Sequence, residues 1–165
     1  VGSEMCIRDR VMPNTPVLVG AGCTGLYADE HLGEARRALV TRLFATVGSA
    51  HWVAHEGLLD AVTALSGSGP AYYHLFSEAL ADAGIALGLA PELAKALAAQ
   101  TALGAATLQT QPGADFVALR TAVTSPNGTT AAAIATFEDD AALRHLVDAA
   151  AHAAHRRSEE LSRES

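Results

Sequence analysis

The sequence predicts an α/β segment that ends a larger sheet, followed by an all-α domain. Three observations carry this reading. Strand-like pieces alternate with one amphipathic helix before residue 55, every strand signal disappears after it, and from there Pro and Gly punctuate a succession of helices. The chain has 165 residues, of which 50% are hydrophobic and only 18% charged. At about 100–200 residues per domain this leaves room for one domain or one and a half. The composition suits a packed core rather than a disordered chain.

The first ten residues, VGSEMCIRDR, set Glu4, Arg8, Asp9 and Arg10 among small residues with no apolar stretch. They predict neither a signal peptide nor an element. They are expected to be a non-native leader, with native sequence starting near Arg10 or Val11. From Met12 to about Ala54, Pro-Asn-Thr-Pro, the apolar run Val17-Leu18-Val19, a glycine cluster and residues 24–28 read as strands and turns. Asp29 is the expected N-cap of a helix on which Leu32, Ala35, Leu39, Leu43 and Val47 recur at three- and four-residue steps until Gly48. His51-Trp52-Val53 is strand-like. Strand, helix, strand is the end of an α/β sheet, and so few strands cannot cover both their faces, so more of the sheet is expected upstream.

The composition shift near residue 55 marks the domain boundary, giving an α/β part over 11–54 and a helical part over 55–163. A helix over roughly 56–65 runs into Ser66-Gly67-Ser68-Gly69-Pro70, where Ser68 or Gly69 can cap and Pro70 suits the first helical position. The next helix sets Tyr72, Phe76, Ala79, Ala83 and Leu87 on one stripe and ends at Gly88. Ala90-Pro91-Glu92 opens another, in which Lys95 is the only charge from Leu93 to Leu108. A helix apolar almost all round must be covered on every side, and Ala94, Ala98, Ala102, Gly104, Ala105 and Ala106 let another backbone come close. Too few other helices are available to cover it, so it is expected in a homodimer interface. Pro112-Gly113 breaks the chain, Asp115 caps a short helix to about Val123, and a turn over 124–128 precedes helices near 129–138 and 140–162.

Eleven Lys and Arg against 18 Asp and Glu give a net charge of −7. With no basic stripe, this argues against a nucleic-acid or anionic-membrane partner. No apolar run approaches the ~20 residues that span a bilayer. The two cysteines, Cys6 and Cys23, cannot make a disulfide framework or a metal knuckle. The reading is a cytoplasmic chain whose partners are small molecules or copies of itself.

Gly20-Ala21-Gly22-Cys23-Thr24-Gly25 matches G-x-G-x-x-G but reads as a decoy. A dinucleotide loop needs the helix to begin inside the glycines and an acid about 20 residues on; here the helix waits until after Asp29, and Thr41, Arg42 and Leu43 offer no carboxylate. Ser66-Gly67-Ser68-Gly69-Pro70 lacks the order of a nucleophile loop. It reads either as a capped helix start or as a backbone wall of a small-molecule pocket. Thr124-Ser125-Pro126-Asn127-Gly128-Thr129-Thr130 spells a type I turn running into a helix. Its hydroxyls and the free N–H groups of the helix start form either a plain cap or an uncharged cradle for a carboxylate. His152 and His155 lie three apart but lack a third ligand, so no metal is expected. Glu78 and Asp82 repel at i, i+4 unless a cation meets them.

Five ordered blocks share one resemblance: residues 11–16 (VMPNTP), 66–72 (SGSGPAY), 78–84 (EALADAG), Ala99-Gln100-Thr101 with Leu103-Gly104-Ala105-Ala106, and Val123-Thr124-Ser125-Pro126 with Gly128-Thr129-Thr130. Together they closely resemble pyrroline-5-carboxylate reductase, from residue 11 to about 162. The resemblance implies a Rossmann domain binding NADPH or NADH, of which this chain holds the last part. It also implies an all-α dimerisation domain of the 6-phosphogluconate-dehydrogenase C-terminal type, interleaved into homodimers and rings of dimers. The implied reaction reduces 1-pyrroline-5-carboxylate to L-proline, the last step of proline synthesis.

By the same resemblance, Met12, Pro13 and Asn14 lie near the nicotinamide. Ser125, Gly128, Thr129 and Thr130 hold the substrate carboxylate, with the catalytic Thr130 hydroxyl near the ring nitrogen, and residues 66–70 support the pocket. Asn127 stands where the family commonly has glycine. The main phosphate-binding half is expected upstream, so these 165 residues are expected to be inactive alone. Two alternatives remain: a non-catalytic helical oligomerisation module, and the substrate domain of a hydroxy-acid dehydrogenase, which would need an acid/base such as the single lysine, Lys95.

Overall fold

A computed structural model gives the structure of the protein over residues 10–164. Residues 1–9 of the expected leader, and Ser165, lie outside the described residues. The chain forms two compact units: one holds the described residues up to Ala71 together with Ala150 onward, the other Tyr72–Ala149.

The first unit is built on a sheet of β1 (Arg10–Met12), β2 (Gly22–Tyr27) and β3 (Gly48–Trp52), in the order β1-β2-β3. β2 and β3 run parallel, with Leu26 opposite Trp52. Between them in the chain lies α1 (Glu34–Ala45), the crossover that a parallel pair requires. β1, antiparallel to β2 with Met12 opposite Gly25, is too short to leave a pattern in the sequence. An α/β end followed by helices is therefore what the chain forms. Leu26, Ala28, Leu32, Leu59, Ala64 and Thr24 are buried in it.

Three local expectations fail here. Val17-Leu18-Val19 is not a strand: Thr15–Val19 winds into a 3-10 turn. The Gly20 and Ala21 N–H groups return to the Val17 and Pro16 carbonyls at 3.2 and 3.1 Å, and Pro16 pre-sets the φ such a turn needs. Asp29 is not the N-cap of α1. Its Oδ1 accepts the His31 N–H at 2.8 Å, an Asx turn that uses the carboxylate locally, and α1 starts only at Glu34.

Nor does the leucine stripe of α1 face the sheet. Its half-buried positions are Arg37, Val40, Thr41 and Phe44, while Leu39 is 59% exposed. Polar contacts anchor it instead. The Arg37 guanidinium stacks 4.6 Å from the Trp52 ring centroid and donates to the Ala28 and Asp29 carbonyls at 3.2 and 3.3 Å. Trp52 Nε1 donates to Thr41 Oγ1 at 2.9 Å. A cation over a tryptophan contributes about 0.5–1 kcal/mol when solvent-exposed.

α2 (Leu58–Val62) passes directly into a π-turn, Thr63–Gly67, which leads to α3 (Gly69–Ala86). The helix expected over 56–65 therefore ends in this turn, without a separate capped start at Ser68. The final helix, α7 (Ala142–Glu164), returns to the first unit through Ser158 and Ser162. Their hydroxyls donate to Asp60 Oδ1 at 2.7 and 3.1 Å.

In the second unit, α3 continues beside α4 (Pro91–Gln109), followed by α5 (Phe116–Ala122), α6 (Thr129–Glu138) and the start of α7. Pro91 opens α4 behind Ala90, and the Asp115 carboxylate caps α5 by accepting the Ala118 N–H at 2.7 Å, both as the sequence predicts. The small core is Ala81 on α3 with Ala94 and Ala98 on α4, and Ile85 packs against it. Small side chains here let the two backbones approach. The stripe of Tyr72, Phe76, Ala79, Ala83 and Leu87 is exposed, Leu87 to 87%. Leu93, Leu97, Leu103 and Leu108 of α4 are exposed as well. Between α6 and α7, Asp140 and Ala141 both adopt positive φ, 47° and 53°.

Candidate carboxylate cradle and strand-end clamp

Two groups of residues carry the chemistry that the motifs single out, one in each unit. In the second unit, α5 ends at Ala122 and the chain turns through 123–128 into α6. The Gly128 N–H closes the turn on the Ser125 carbonyl at 3.0 Å. Asn127 at the third turn position has φ 59°, which excludes the type I turn expected and makes this a type II turn with Pro126 at i+1. Asparagine tolerates this region better than other side chains, consistent with a position that suits glycine. A Cβ on Gly128 would collide with Ser125 Oγ and sit 3.2 Å from the Ser125 carbonyl, so the turn closes this tightly only around glycine.

Gly128, not a threonine, is the N-cap of α6, and no side chain caps it. The hydroxyls of Ser125, Thr129 and Thr130 make no hydrogen bond among the described residues. The plain-cap reading of these hydroxyls therefore fails. By the geometry of a helix start, the Thr129, Thr130 and Ala131 N–H groups also lack helical partners, and the dipole leaves this end positive. Ser125 and Thr129 are exposed, whereas Gly128 and Thr130 are half-buried. The segment 124–131 carries no charged residue. Such a site can hold a carboxylate by uncharged donors alone.

At the far end of α6 lies an ion cluster. Glu138, at the end of α6, accepts from Arg120 of α5 at 2.9 Å and from both Nε and Nη2 of Arg144 of α7, at 2.7 and 2.6 Å. The forked hydrogen bond from Arg144 holds the Glu138 carboxyl below its ordinary value. Desolvation opposes this, and the charges of Arg144 and Arg120 add to the lowering. No local sequence signal pairs these three residues.

In the first unit, Met12 ends β1, half-buried, and Pro13 is exposed beyond it. Asn14 Oδ1 accepts the Cys23 N–H at 2.8 Å, while Nδ2 donates to the Ser66 carbonyl at 3.1 Å and lies 3.4 Å from Ser66 Oγ. Ser66 Oγ in turn lies 3.4 Å from the Cys23 carbonyl. A Cβ on Gly67 would come within 2.6 Å of Met12 Cε, so the Met-Pro-Asn and Ser-Gly-Ser-Gly-Pro segments are built to touch. The backbone of the latter is not a row of free N–H groups, because the Ser68 N–H bonds the Thr63 carbonyl at 2.8 Å.

For a dinucleotide the fit divides. Gly22 and Gly25 lie within β2 and no helix begins among the glycines, so residues 20–25 do not fit a pyrophosphate. In the same unit, β1 is an edge strand and Pro13 is exposed just beyond it. Among the described residues no group of three or more His, Cys, Asp or Glu could hold a metal. Glu78 and Asp82 line a shallow cavity together with Lys95, whose nearest carboxylate is Glu92 at 3.8 Å. No helix among the described residues is long and apolar enough to cross a membrane.

A short α/β end and an alanine-cored helical unit with large uncovered apolar faces have the form of a helical dimerisation domain that follows a small sheet. The family model described as pyrroline-5-carboxylate reductase dimerisation matches residues 56–161. The chain belongs to the pyrroline-5-carboxylate reductase family. It is 47% identical over 153 residues to the pyrroline-5-carboxylate reductase of Pseudomonas aeruginosa, covering 93% of this chain and 56% of that protein. It is 44% identical over 161 residues to that of Pisum sativum, covering 98% and 58%.

Among solved structures, a pyrroline-5-carboxylate reductase from Coxiella burnetii superposes with a TM-score of 0.89 at 44% identity, over 93% of this chain and 56% of that one. The Plasmodium falciparum pyrroline carboxylate reductase, determined with NADP bound, gives 0.79 at 35% identity, over 91% and 61%. The chain thus spans little more than half the length of these relatives.

Proposed function

We propose that this chain is the substrate-binding and dimerising part of a pyrroline-5-carboxylate reductase, which reduces 1-pyrroline-5-carboxylate to L-proline with NADPH or NADH. The observation that carries this reading is the cradle: three free hydroxyls and a helix start, with no charged group, at the residues of the Ser-Pro-x-Gly-Thr-Thr block. In this reading residues 11–54 end a Rossmann domain and residues 55–163 form the helical domain. The match to the dimerisation family and the exposed leucines of α3 and α4 support a homodimer. A ring of dimers follows from the family resemblance alone, and a cytoplasmic location from the two cysteines, which form no disulfide framework.

The substrate is a cyclic imine bearing a carboxylate. Ser125, Gly128, Thr129 and Thr130 accept that carboxylate through hydroxyl and N–H donors, and the Thr130 hydroxyl orients the ring nitrogen. A protonated imine is already electrophilic, so no strong protein acid is needed, and the share of these residues is alignment. A reduced nicotinamide supplies the hydride when bound. Met12, Pro13 and Asn14 are proposed on its ring side, and its phosphates are assigned to residues preceding this chain, since residues 20–25 do not fit them.

The test joins this chain behind the upstream half of the Pseudomonas relative and measures NADPH-dependent reduction of 1-pyrroline-5-carboxylate. Turnover is expected, with kcat/KM falling about 10²-fold in Thr130→Ala while the dimer persists by sedimentation. Unchanged turnover in Thr130→Ala refutes the cradle. A dimer without turnover in the unsubstituted hybrid favours the oligomerisation module.

A further inference from the structure

We propose that Asn14 is a positioning residue whose carboxamide locks the strand end at Met12-Pro13 to the π-turn Thr63–Gly67. The lock stands on geometry alone, and its catalytic consequence rests on the reductase reading. Asn14 and Ser66 are 52 positions apart, and two vacancies in the backbone ladder bring them together. The β1–β2 pairing ends at Met12 opposite Gly25, so β1 offers no partner to Cys23, and Asn14 Oδ1 takes its N–H at 2.8 Å. In the π-turn the Ser66 carbonyl would accept the N–H of residue 70 in a continuing helix, but Pro70 has none. The Asn14 Nδ2 fills that place at 3.1 Å.

A carboxamide offers a donor and an acceptor in this fork at any pH, and Asn carries it on the shorter stem. The lock holds the edge assigned to the nicotinamide ring in register with the start of α3. An aspartate at position 14 would keep the acceptor for Cys23 but turn a second acceptor toward the Ser66 carbonyl. Once protonated it could donate there again. The elements around it bring few other titrating groups: Arg10 on β1, already paired with Glu56 at 2.7 Å, Cys23 and Tyr27 on β2, Asp60 on α2, and none in 15–19 or 63–67.

The experiment compares melting of the 165-residue chain with Asn14→Asp and Asn14→Ala at several pH values. At about pH 7, Asn14→Asp is expected to melt about 5 °C below the parent. Its folded-state carboxyl pKa is raised, so the deficit is present above that value and closes as pH falls toward about 4. The Asn14→Ala deficit stays constant over the same range. An Asp variant that melts with the parent at pH 7, or a deficit that ignores pH, overturns the lock. In the hybrid chain, Asn14→Asp is expected to lower kcat about 10-fold or more, with KM for the imino acid little changed and kcat recovering in acid. Equal kcat overturns the positioning role. A hybrid without turnover before substitution removes the reductase reading instead, and the melting curves then decide the lock by themselves.

Discussion

The buried hydroxyl of Thr24 offers a test of the packing of β2 that needs no knowledge of function. Thr24 is 1% exposed, and its Oγ1 has no hydrogen-bond partner among the described residues. Leaving a hydroxyl dry and unpaired costs about 1–3 kcal/mol by mutational measures. Valine has nearly the same shape and suits a strand, so Thr24→Val removes that cost and adds apolar contact with little rearrangement. A Thr→Val change in a core is ordinarily unfavourable because it breaks a hydroxyl pair; here no pair exists to break. The expected gain is about 1–2 kcal/mol. With a urea m-value of about 2 kcal/mol/M, the midpoint rises by about 0.5–1 M. Trp52, the single tryptophan, lies on β3 beside β2 and reports the transition by fluorescence. A midpoint that is unchanged or lower, at constant m, would show that Thr24 Oγ1 has a partner and that the packing described for β2 is wrong.

At the cradle turn, Asn127→Ala should destabilise by about 1 kcal/mol because alanine resists positive φ, whereas Asn127→Gly should match or exceed the parent. Equal melting of the parent and both variants would contradict the type II turn. The Glu138 cluster makes a pH prediction whose sign is fixed by its lowered carboxyl pKa. Its contribution is present above the unfolded-state value and lost as pH falls through the folded one. The Tm difference between parent and Glu138→Gln should therefore be positive at about pH 7 and vanish in acid, and a difference that grows in acid would reverse the assignment.

Much of the architecture was legible in sequence because it rests on local chemistry. Pro91 at a helix start, the Asp115 cap and the strand-like residues 24–28 each act within one turn or strand, and each appears where its residues imply. The failures have two causes: a competing local turn, or a tertiary partner that overrides the local pattern. Asp29 looked like a cap but was taken by an Asx turn. The leucines of α1 lost the sheet-facing side to Arg37 and Thr41 because Trp52 offers them a ring and a donor. The apolar stripe of α3 was legible as a stripe, but the sequence did not show that Ala81, which lies off it, would join Ala94 and Ala98 in the buried cluster of that unit.

The two site segments differ in the same way. The Ser125–Thr130 cradle is contiguous, so its donors could be counted from sequence, apart from the sign of φ at Asn127. The Asn14–Ser66 lock joins distant residues of ordinary type. Its one sequence clue is the missing N–H of Pro70, which leaves the Ser66 carbonyl open.

The most direct measurement of the cradle compares, in the hybrid chain, 1-pyrroline-5-carboxylate with 1-pyrroline, the same ring without its carboxylate. If uncharged donors at the start of α6 grip that group, kcat/KM should fall by about 10²–10³ on its removal, and Thr130→Ala should narrow the gap. Two substrates turned over within a few-fold of each other would contradict the account.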